Sequence, residues 1–244
     1  MKVFLAGSGW EKRLWMKDNF YKFYRLHTFY HIAEHEAKVI NKYDDFLLDS
    51  GAFSFFGGKV VNWDEYLTDY INFINKYDVK LFFELDLYRL IGIKETEKLR
   101  ARLEKETNKQ SIPVFHKMLG IDYYKMLCKN YNYIAIGASG MYDTDWTRKD
   151  PKKLLKMLLF AKKLNTKVHG LGYTKIPMLD KMPFYSVDST SWLAGSRFGV
   201  LHFFNGRDLR KVKKPLGTRL KTFKTAESNF YEWVKFTSYA KDNL

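Results

Sequence analysis

The sequence predicts an α/β fold, a compact (β/α)8 barrel of the TIM type that forms a single domain over residues 1–244. The first observation is that short apolar runs alternate with longer amphipathic segments, as expected for parallel strands joined by helices. The second is that no segment rich in Pro, Gly or Ser divides a chain whose length suits one domain. A doubly wound open sheet is the alternative that this pattern allows.

The strands are predicted from apolar runs of strand length. Seven such runs lie at residues 3–6, 46–48, 80–85, 112–115, 133–136, 167–169 and 184–187. Residues 200–204 are the candidate for the eighth strand, which would complete the barrel.

Helices are predicted between and after these runs. Residues 63–77 carry apolar side chains at three- and four-residue spacing, and residues 94–108 are highly charged, as expected of a surface helix. A third helix, 150–164, opens with Asp150 as its N-cap and Pro151 at its first position. The last, 226–239, has the inward residues Phe230, Trp233, Val234 and Tyr239.

The composition favours a polyanionic partner. Lys and Arg number 42 against 27 Asp and Glu, a formal net charge of +15, and the 17 Tyr and 6 Trp offer stacking surfaces for bases. The densest basic segment, residues 207–224, is expected to contact nucleic-acid phosphates, with a solvated charged loop as the alternative. Its expected contact residues are Arg207, Arg210, Lys211, Lys213, Lys214 and Arg219.

A cytoplasmic location is expected from the cysteine content and the hydropathy. Cys128 is the only cysteine, so the chain forms no intramolecular disulfide and has no Cys cluster for a structural zinc. The first apolar run is too short for a signal peptide, and no stretch approaches the roughly 20 apolar residues that span a bilayer. We therefore expect no membrane partner.

Polar residues follow several predicted strands, at the end where α/β folds place their chemistry. Asp49 and Asp188 each end an apolar run and precede a serine, so they are candidates for a carboxylate pair that divides nucleophile and acid–base roles. The alternative is that both aspartates are turn or N-cap residues. Asp86, His116 and His169 are further polar candidates, but no metal-ligand spacing such as HExxH occurs, so we expect no metal.

Several segments resemble the motifs of the tRNA-guanine transglycosylase superfamily, and they occur in that family's order. They are Asp49-Ser50-Gly51-Ala52-Phe53-Ser54, residues 81–86 ending in Asp86, the loop Gly137-Ala138-Ser139-Gly140, the turn His169-Gly170-Leu171-Gly172, and Asp188 followed by Arg197. The resemblance implies a base-exchange transglycosylase that needs no cofactor, with Asp188 as nucleophile and Asp49 as general base. It also implies a set of base-binding residues, namely Asp86, Phe53, His116, Gly137, Ala138, Ser139 and Gly170, and a nucleic-acid contact at Arg197.

The chain departs from the family in ways that bear on the substrate. It lacks the zinc-binding subdomain, it is shorter, and His116 stands where the family usually has Gln. These departures resemble the DNA-guanine transglycosylases of phages and bacteria, which insert a 7-deazaguanine base of the preQ0 or preQ1 type into DNA. The alternatives are a tRNA-guanine transglycosylase, a barrel enzyme that processes a small-molecule glycoside, and a nucleic-acid-binding module without activity.

Overall fold

The structure is a computed structural model that describes residues 1–7, 9–55, 61–137, 146–173, 176–212 and 221–244, without the side chains of Phe53 and Arg148. The strands in these residues are β1 Lys2–Ala6, β2 Tyr24–Thr28, β3 Asp45–Asp49, β4 Leu81–Phe82, β5 Val114–Phe115, β6 Tyr133–Gly137, β7 Lys167–Leu171, β8 Ser186–Ser189, β9 Leu201–Phe204 and β10 Leu209–Val212. The α-helices are α1 Arg13–Met16, α2 Glu34–Ala37, α3 Trp63–Lys76, α4 Tyr88–Ile91, α5 Ile93–Thr107, α6 Gly120–Asn130, α7 Trp146–Lys149, α8 Pro151–Lys163, α9 Ala194–Phe198 and α10 Thr222–Asn243.

The first eight strands form one curled sheet in which every paired strand is parallel to its neighbour. Their order is β4-β3-β2-β1-β8-β7-β6-β5, so the first and last of the eight pair at the centre. The predicted α/β class is confirmed, and an all-parallel sheet with helices between its strands is compatible with a TIM-like barrel. Just beyond the edge strands β4 and β5, Phe83 and Ile112 form an isolated parallel bridge.

One predicted strand of this sheet was wrong. Residues 200–204 contain β9, but β9 pairs antiparallel with β10 in a separate two-stranded sheet. The remaining strand of the main sheet is β2. It was not predicted, because Arg25 and His27 interrupt its apolar residues. Both side chains are nevertheless buried, and Arg25 donates to the carbonyl oxygens of Leu5 and Leu26 at 2.8 and 2.9 Å.

All four predicted helices are confirmed, as α3, α5, α8 and α10. Asp150 caps α8 as predicted, because its side chain accepts a hydrogen bond from the backbone N–H of Lys153 at 3.0 Å. The C-terminal helix is longer than its predicted span, and Phe230 and Trp233 are fully buried on its inner face. Val234 and Tyr239 pack against the same core but stay partly exposed.

Strand alternation separates the inner face of the sheet from the face that the helices cover. Phe4, Leu47 and Phe83 belong to one buried cluster on the inner face, whereas the residues next to them in the chain pack towards the helices. By the same alternation, Asp49 shares the face of Leu47. The inner face therefore carries polar side chains where its strands end.

A buried ion pair lies next to the bridge between Phe83 and Ile112. Glu84 accepts a hydrogen bond from the backbone N–H of Val114 at 2.6 Å, and its other oxygen lies 3.1 Å from Nη1 of Arg100 on α5. Burial raises the pKa of Glu84 to about 7, and the charge of Arg100 opposes this rise. The charge of Arg100 therefore favours the ionised form of a carboxyl group whose burial favours the protonated form.

We expect Arg100→Leu to lower the free energy of unfolding by about 3–5 kcal/mol, because it leaves a buried carboxyl group without its charged partner. Urea unfolding monitored by circular dichroism measures this cost. The matched control is Lys98→Leu on the same helix, which removes an exposed pair with Glu95 and should cost less than about 1 kcal/mol. Equal costs for the two variants would show that the Glu84–Arg100 pair does not stabilise the fold.

Candidate active site

Three carboxylates converge at the carboxyl edge of the main sheet: Asp49 at the end of β3, Asp188 in β8, and Asp86 four residues after β4. Burial, together with the negative charges of Asp188 and Asp86, raises the pKa of Asp49 to about 6. The backbone N–H of Gly51, which donates to Asp49 Oδ1 at 2.9 Å, opposes the rise. The structure thus brings the predicted pair, Asp49 and Asp188, within electrostatic range of each other.

The turn after Asp49 has a conformation that requires glycine. Gly51 has φ +77°, and a Cβ at this position would lie 2.7 Å from Cβ of Tyr30. Tyr66 on α3 fixes the same turn, because its hydroxyl donates to the backbone carbonyl of Ser50 at 2.6 Å. Asp49 is therefore held by the turn that follows it, in addition to the strand that precedes it.

Asp188 is 8% exposed and is held by hydrogen bonds to one of its two oxygens. The backbone N–H of Gly172 donates to Oδ1 at 2.6 Å, and Nε2 of His169 lies 3.2 Å from the same atom. Within the described part of the chain, every hydrogen bond to the Asp188 side chain goes to Oδ1. Hydrogen bonds from these two donors restrict the orientation of the Asp188 carboxyl group.

The base-binding candidates Asp86 and His116 form a second pair at this edge. Nε2 of His116 lies 2.9 and 2.8 Å from the two oxygens of Asp86, and the His116 ring packs against Tyr88 with the ring centroids 4.8 Å apart. A Cβ on Gly137 would lie 2.8 Å from the His116 ring, so only glycine leaves room for that ring. A carboxylate has about four acceptor positions, so Asp86 can still accept hydrogen bonds from a ligand.

The structure describes the other base-binding candidates to different extents. Gly170 follows His169 in β7, and a Cβ on Gly170 would lie within 3.0 Å of Tyr173 and Phe184, on the face that the helices cover. Phe53 lies in the short 3-10 helix Ala52–Phe55, but its side chain is outside the described part of the chain. Ala138 and Ser139 also lie outside the described residues.

The predicted nucleic-acid contacts lie on a two-stranded ribbon formed by β9 and β10 and on the helix before it. Arg197 near the end of α9 and Arg207, Arg210 and Lys211 of the ribbon are exposed. Lys213, Lys214 and Arg219 lie outside the described residues.

Two aromatic side chains beside these cations were missed in the sequence. Phe203 lies directly across the ribbon from Arg210 and is 53% exposed, and Phe198 next to Arg197 is 78% exposed. The signal was the alternation in 202–204, where a strand that buries His202 must turn Phe203 outward. Aromatic and basic side chains side by side are the combination that binds nucleic-acid strands.

Helix α9 ties this surface to the carboxyl edge of the sheet. Ser196 of α9 donates to Oε1 of Glu11 at 2.5 Å, and Oε2 of Glu11 accepts from the backbone N–H of Gly9, three residues after β1. Arg197 and Phe198 are therefore anchored beside the edge at which Asp188 lies.

Neither a metal site nor a membrane span is found in the described residues. No group of three or more His, Cys, Asp or Glu among them is arranged to bind a metal ion. None of their helices is long and apolar enough to cross a membrane.

In comparisons with known proteins, no family model matched the chain, and no curated protein matched it.

The raised pKa of Asp49 predicts a pH-dependent effect on stability. Between the ordinary value of 3.8 and the value of about 6, the native state holds a proton that the unfolded state has released, so ionisable Asp49 lowers stability as the pH rises through this window. The Asp49→Asn variant has no ionisable group at this position, so its stability does not fall in this way as the pH rises. Relative to the wild type, the variant should gain about 2–3 kcal/mol in unfolding free energy between about pH 4 and pH 7.

Chemical unfolding at both pH values measures this difference. The matched control is Asp122→Asn, since the Asp122 side chain is 93% exposed and should show no such change. Parallel pH profiles for Asp49→Asn and the wild type would contradict the raised pKa of Asp49.

Proposed function

We propose that this protein is a DNA-guanine transglycosylase, which exchanges guanine in DNA for a 7-deazaguanine base of the preQ0 or preQ1 type through a covalent aspartyl intermediate. The observation that carries the proposal is the unequal pair of carboxylates at the carboxyl edge. Asp188 receives two hydrogen bonds on one oxygen, whereas Asp49 has a pKa of about 6. Two carboxylates with such different surroundings can serve as nucleophile and acid–base catalyst.

In the first step, Asp188 attacks C1′ of the target nucleotide, and the bond between C1′ and N9 of guanine breaks. The bonding electrons leave with guanine, and protonated Asp49 donates its proton to the departing base, which leaves an ester between C1′ and Asp188. A pKa of about 6 suits a group that must donate and accept a proton near neutral pH.

In the second step, the 7-deazaguanine base occupies the place of guanine. Its N9 gives a proton to ionised Asp49 and attacks C1′, and the ester to Asp188 breaks. Two displacements retain the configuration at C1′, as in retaining glycosidases. No cofactor or energy source is required, since one glycosidic bond replaces another.

Asp86 and His116 are suited to select the base. Guanine and its 7-deaza analogues carry an N1–H and an exocyclic amine on one edge, and a carboxylate can accept from both. The electrostatic effect of Asp86 on Asp49 supports this role, because it indicates that a base bound by Asp86 lies near the acid–base group. The roles of Phe53, Ala138, Ser139 and Gly170 remain predictions from the motif resemblance.

The proposal includes closure of the curled sheet into a (β/α)8 barrel. The bridge between Phe83 and Ile112 supports closure, with Ile112 N–H donating to the carbonyl of Phe82 at 2.9 Å and Glu84 N–H donating to that of Ile112 at 3.1 Å. The hydrogen bond between Asp86 and His116 supports it too, because these residues follow the two edge strands, β4 and β5. A closed barrel would gather all the site residues around one mouth.

DNA is favoured over tRNA because the sequence, with Cys128 as its only cysteine, lacks the zinc-binding subdomain of the tRNA enzymes. A polymer is favoured over a small glycoside because the net charge is +15 and exposed Phe and Arg side chains lie together on the ribbon. The target nucleotide would have to leave the base stack to reach Asp188, which is buried.

The central test is transfer of a labelled 7-deazaguanine into DNA. We expect the wild type to incorporate labelled preQ0 or preQ1 into guanine-containing DNA and to form a protein–DNA adduct on a denaturing gel. Asp188→Asn should abolish both, and Asp49→Asn should slow exchange by about 100-fold or more. Guanine-free DNA is the control. Adduct formation by Asp188→Asn would refute the nucleophile, and label entering tRNA but not DNA would refute the choice of polymer.

The ribbon should contribute to DNA affinity independently of catalysis. We expect Arg210→Ala to weaken binding and to lower the slope of log affinity against log salt by about 1, because one phosphate contact is lost. Phe203→Ala should weaken binding by about 1–3 kcal/mol with little change in that slope, because stacking is lost. Fluorescence anisotropy of labelled DNA over a salt series measures both. Lys163→Ala on α8 is the control, and an equal loss there would argue against a specific ribbon contact.

A further inference from the structure

A chain of buried polar side chains leads to Asp188 from inside the sheet. The hydroxyl of Tyr133 lies 2.5 Å from Oγ of Ser186, which in turn lies 2.5 Å from Nδ1 of His169, and Nε2 of His169 lies 3.2 Å from Oδ1 of Asp188. We call Tyr133, Ser186 and His169 the inner relay. His169 and Ser186 are 0% exposed, so the relay exchanges no hydrogen bonds with bulk solvent at these positions.

With Asp188 ionised and His169 neutral, one arrangement of protons satisfies the whole relay. An ionised carboxylate only accepts, so His169 must carry a proton on Nε2. A neutral imidazole protonated there accepts at Nδ1, so Ser186 donates to His169 and Tyr133 donates to Ser186. All donors then point towards Asp188, and hydrogen bonds in such a chain strengthen one another.

We propose that His169 is the positioning residue for the nucleophile, and that it holds Asp188 so that Oδ2 is the atom that attacks C1′. This inference rests on the proposed function. Gly172 N–H and His169 both engage Oδ1, which fixes the carboxylate plane and directs the other oxygen away from the relay. His169 lies against the rings of Phe4 and Phe83, at centroid distances of 6.0 and 5.3 Å, and these contacts fix its imidazole ring.

The relay keeps its protons throughout the reaction. When Oδ2 forms the ester bond to C1′, Oδ1 becomes the carbonyl oxygen and still accepts from Gly172 and His169. The electron pair of the broken C1′–N9 bond leaves with guanine, and its proton comes from Asp49. His169 therefore touches neither the substrate nor the transferred proton, and its contribution is to orient Asp188.

The experiment compares His169→Leu, which removes the donor, with His169→Gln, whose side-chain amide can donate to Asp188 in place of Nε2. We expect His169→Leu to slow formation of the protein–DNA adduct by about 100-fold while DNA affinity stays unchanged, because misplacement of a nucleophile by about 1 Å costs that much. His169→Gln should recover at least tenfold of the loss. Tyr133→Phe, which removes only the far end of the relay and preserves ring volume, should slow the reaction less than His169→Leu.

Nitrogen-15 spectroscopy of histidine-labelled protein tests the same contact without activity. We expect the His169 signals, assigned by their loss in His169→Gln, to show a neutral ring protonated on Nε2, and Asp188→Ala to shift the Nε2 signal. Protonation on Nδ1, or no response to Asp188→Ala, would overturn the inference, as would adduct formation by His169→Leu at the wild-type rate. If the proposed function is wrong, the wild type will form no protein–DNA adduct. The nitrogen-15 spectra will still show whether His169 donates a hydrogen bond to Asp188.

Discussion

The positions of Asp49 and Asp188 depend on one constraint, the alternation of side chains in a sheet whose strands all run parallel. Each strand turns every second residue to the inner face, and all eight end at the same edge, so polar residues far apart in the chain meet there. Asp49 and Asp188 are separated by 139 positions, yet the charge of Asp188 raises the pKa of Asp49. The proximity of these two carboxylates follows from strand direction and from which residue of each strand points inward.

Glu84 and Asp86, two carboxyl groups close together in the chain, differ in burial and in their partners. Glu84 and Asp86 are two positions apart, but Glu84 is 3% exposed and pairs with Arg100, whereas Asp86 is more exposed and pairs with His116. In a continuous strand, both would face the same side. Strand β4 ends at Phe82, however, so the alternation does not extend to them. The first carboxylate joins the sheet to α5, and the second is available to a ligand.

The sequence was sufficient for the parts of the fold that depend on local patterns. Apolar runs and helical spacing predicted seven of the eight strands of the main sheet and the helices α3, α5, α8 and α10, but not the helix α6. Strand β2 was missed because Arg25 is stabilised inside the protein by groups such as the carbonyl of Leu5, which only the folded chain brings to it. The contacts of His169 could not be predicted for the same reason, since Ser186 and Asp188 become its neighbours only when β7 and β8 pair.

The surroundings of Asp49 and Asp188 bear on how the proposed reaction divides the roles of nucleophile and acid–base group between them. Asp188 has two donors directed at one oxygen, and its other oxygen is the atom that attacks C1′ in the proposed reaction. An acid–base group must both hold and release a proton, and Asp49 has one backbone donor, a desolvated position and two negative charges near it, which bring its pKa to about 6. If the roles were exchanged, Asp49 would have to be the nucleophile, although its raised pKa favours the protonated form. The hydrogen bonds and charges thus support the proposal that Asp188 is the nucleophile and Asp49 the acid–base group, in addition to the motif resemblance.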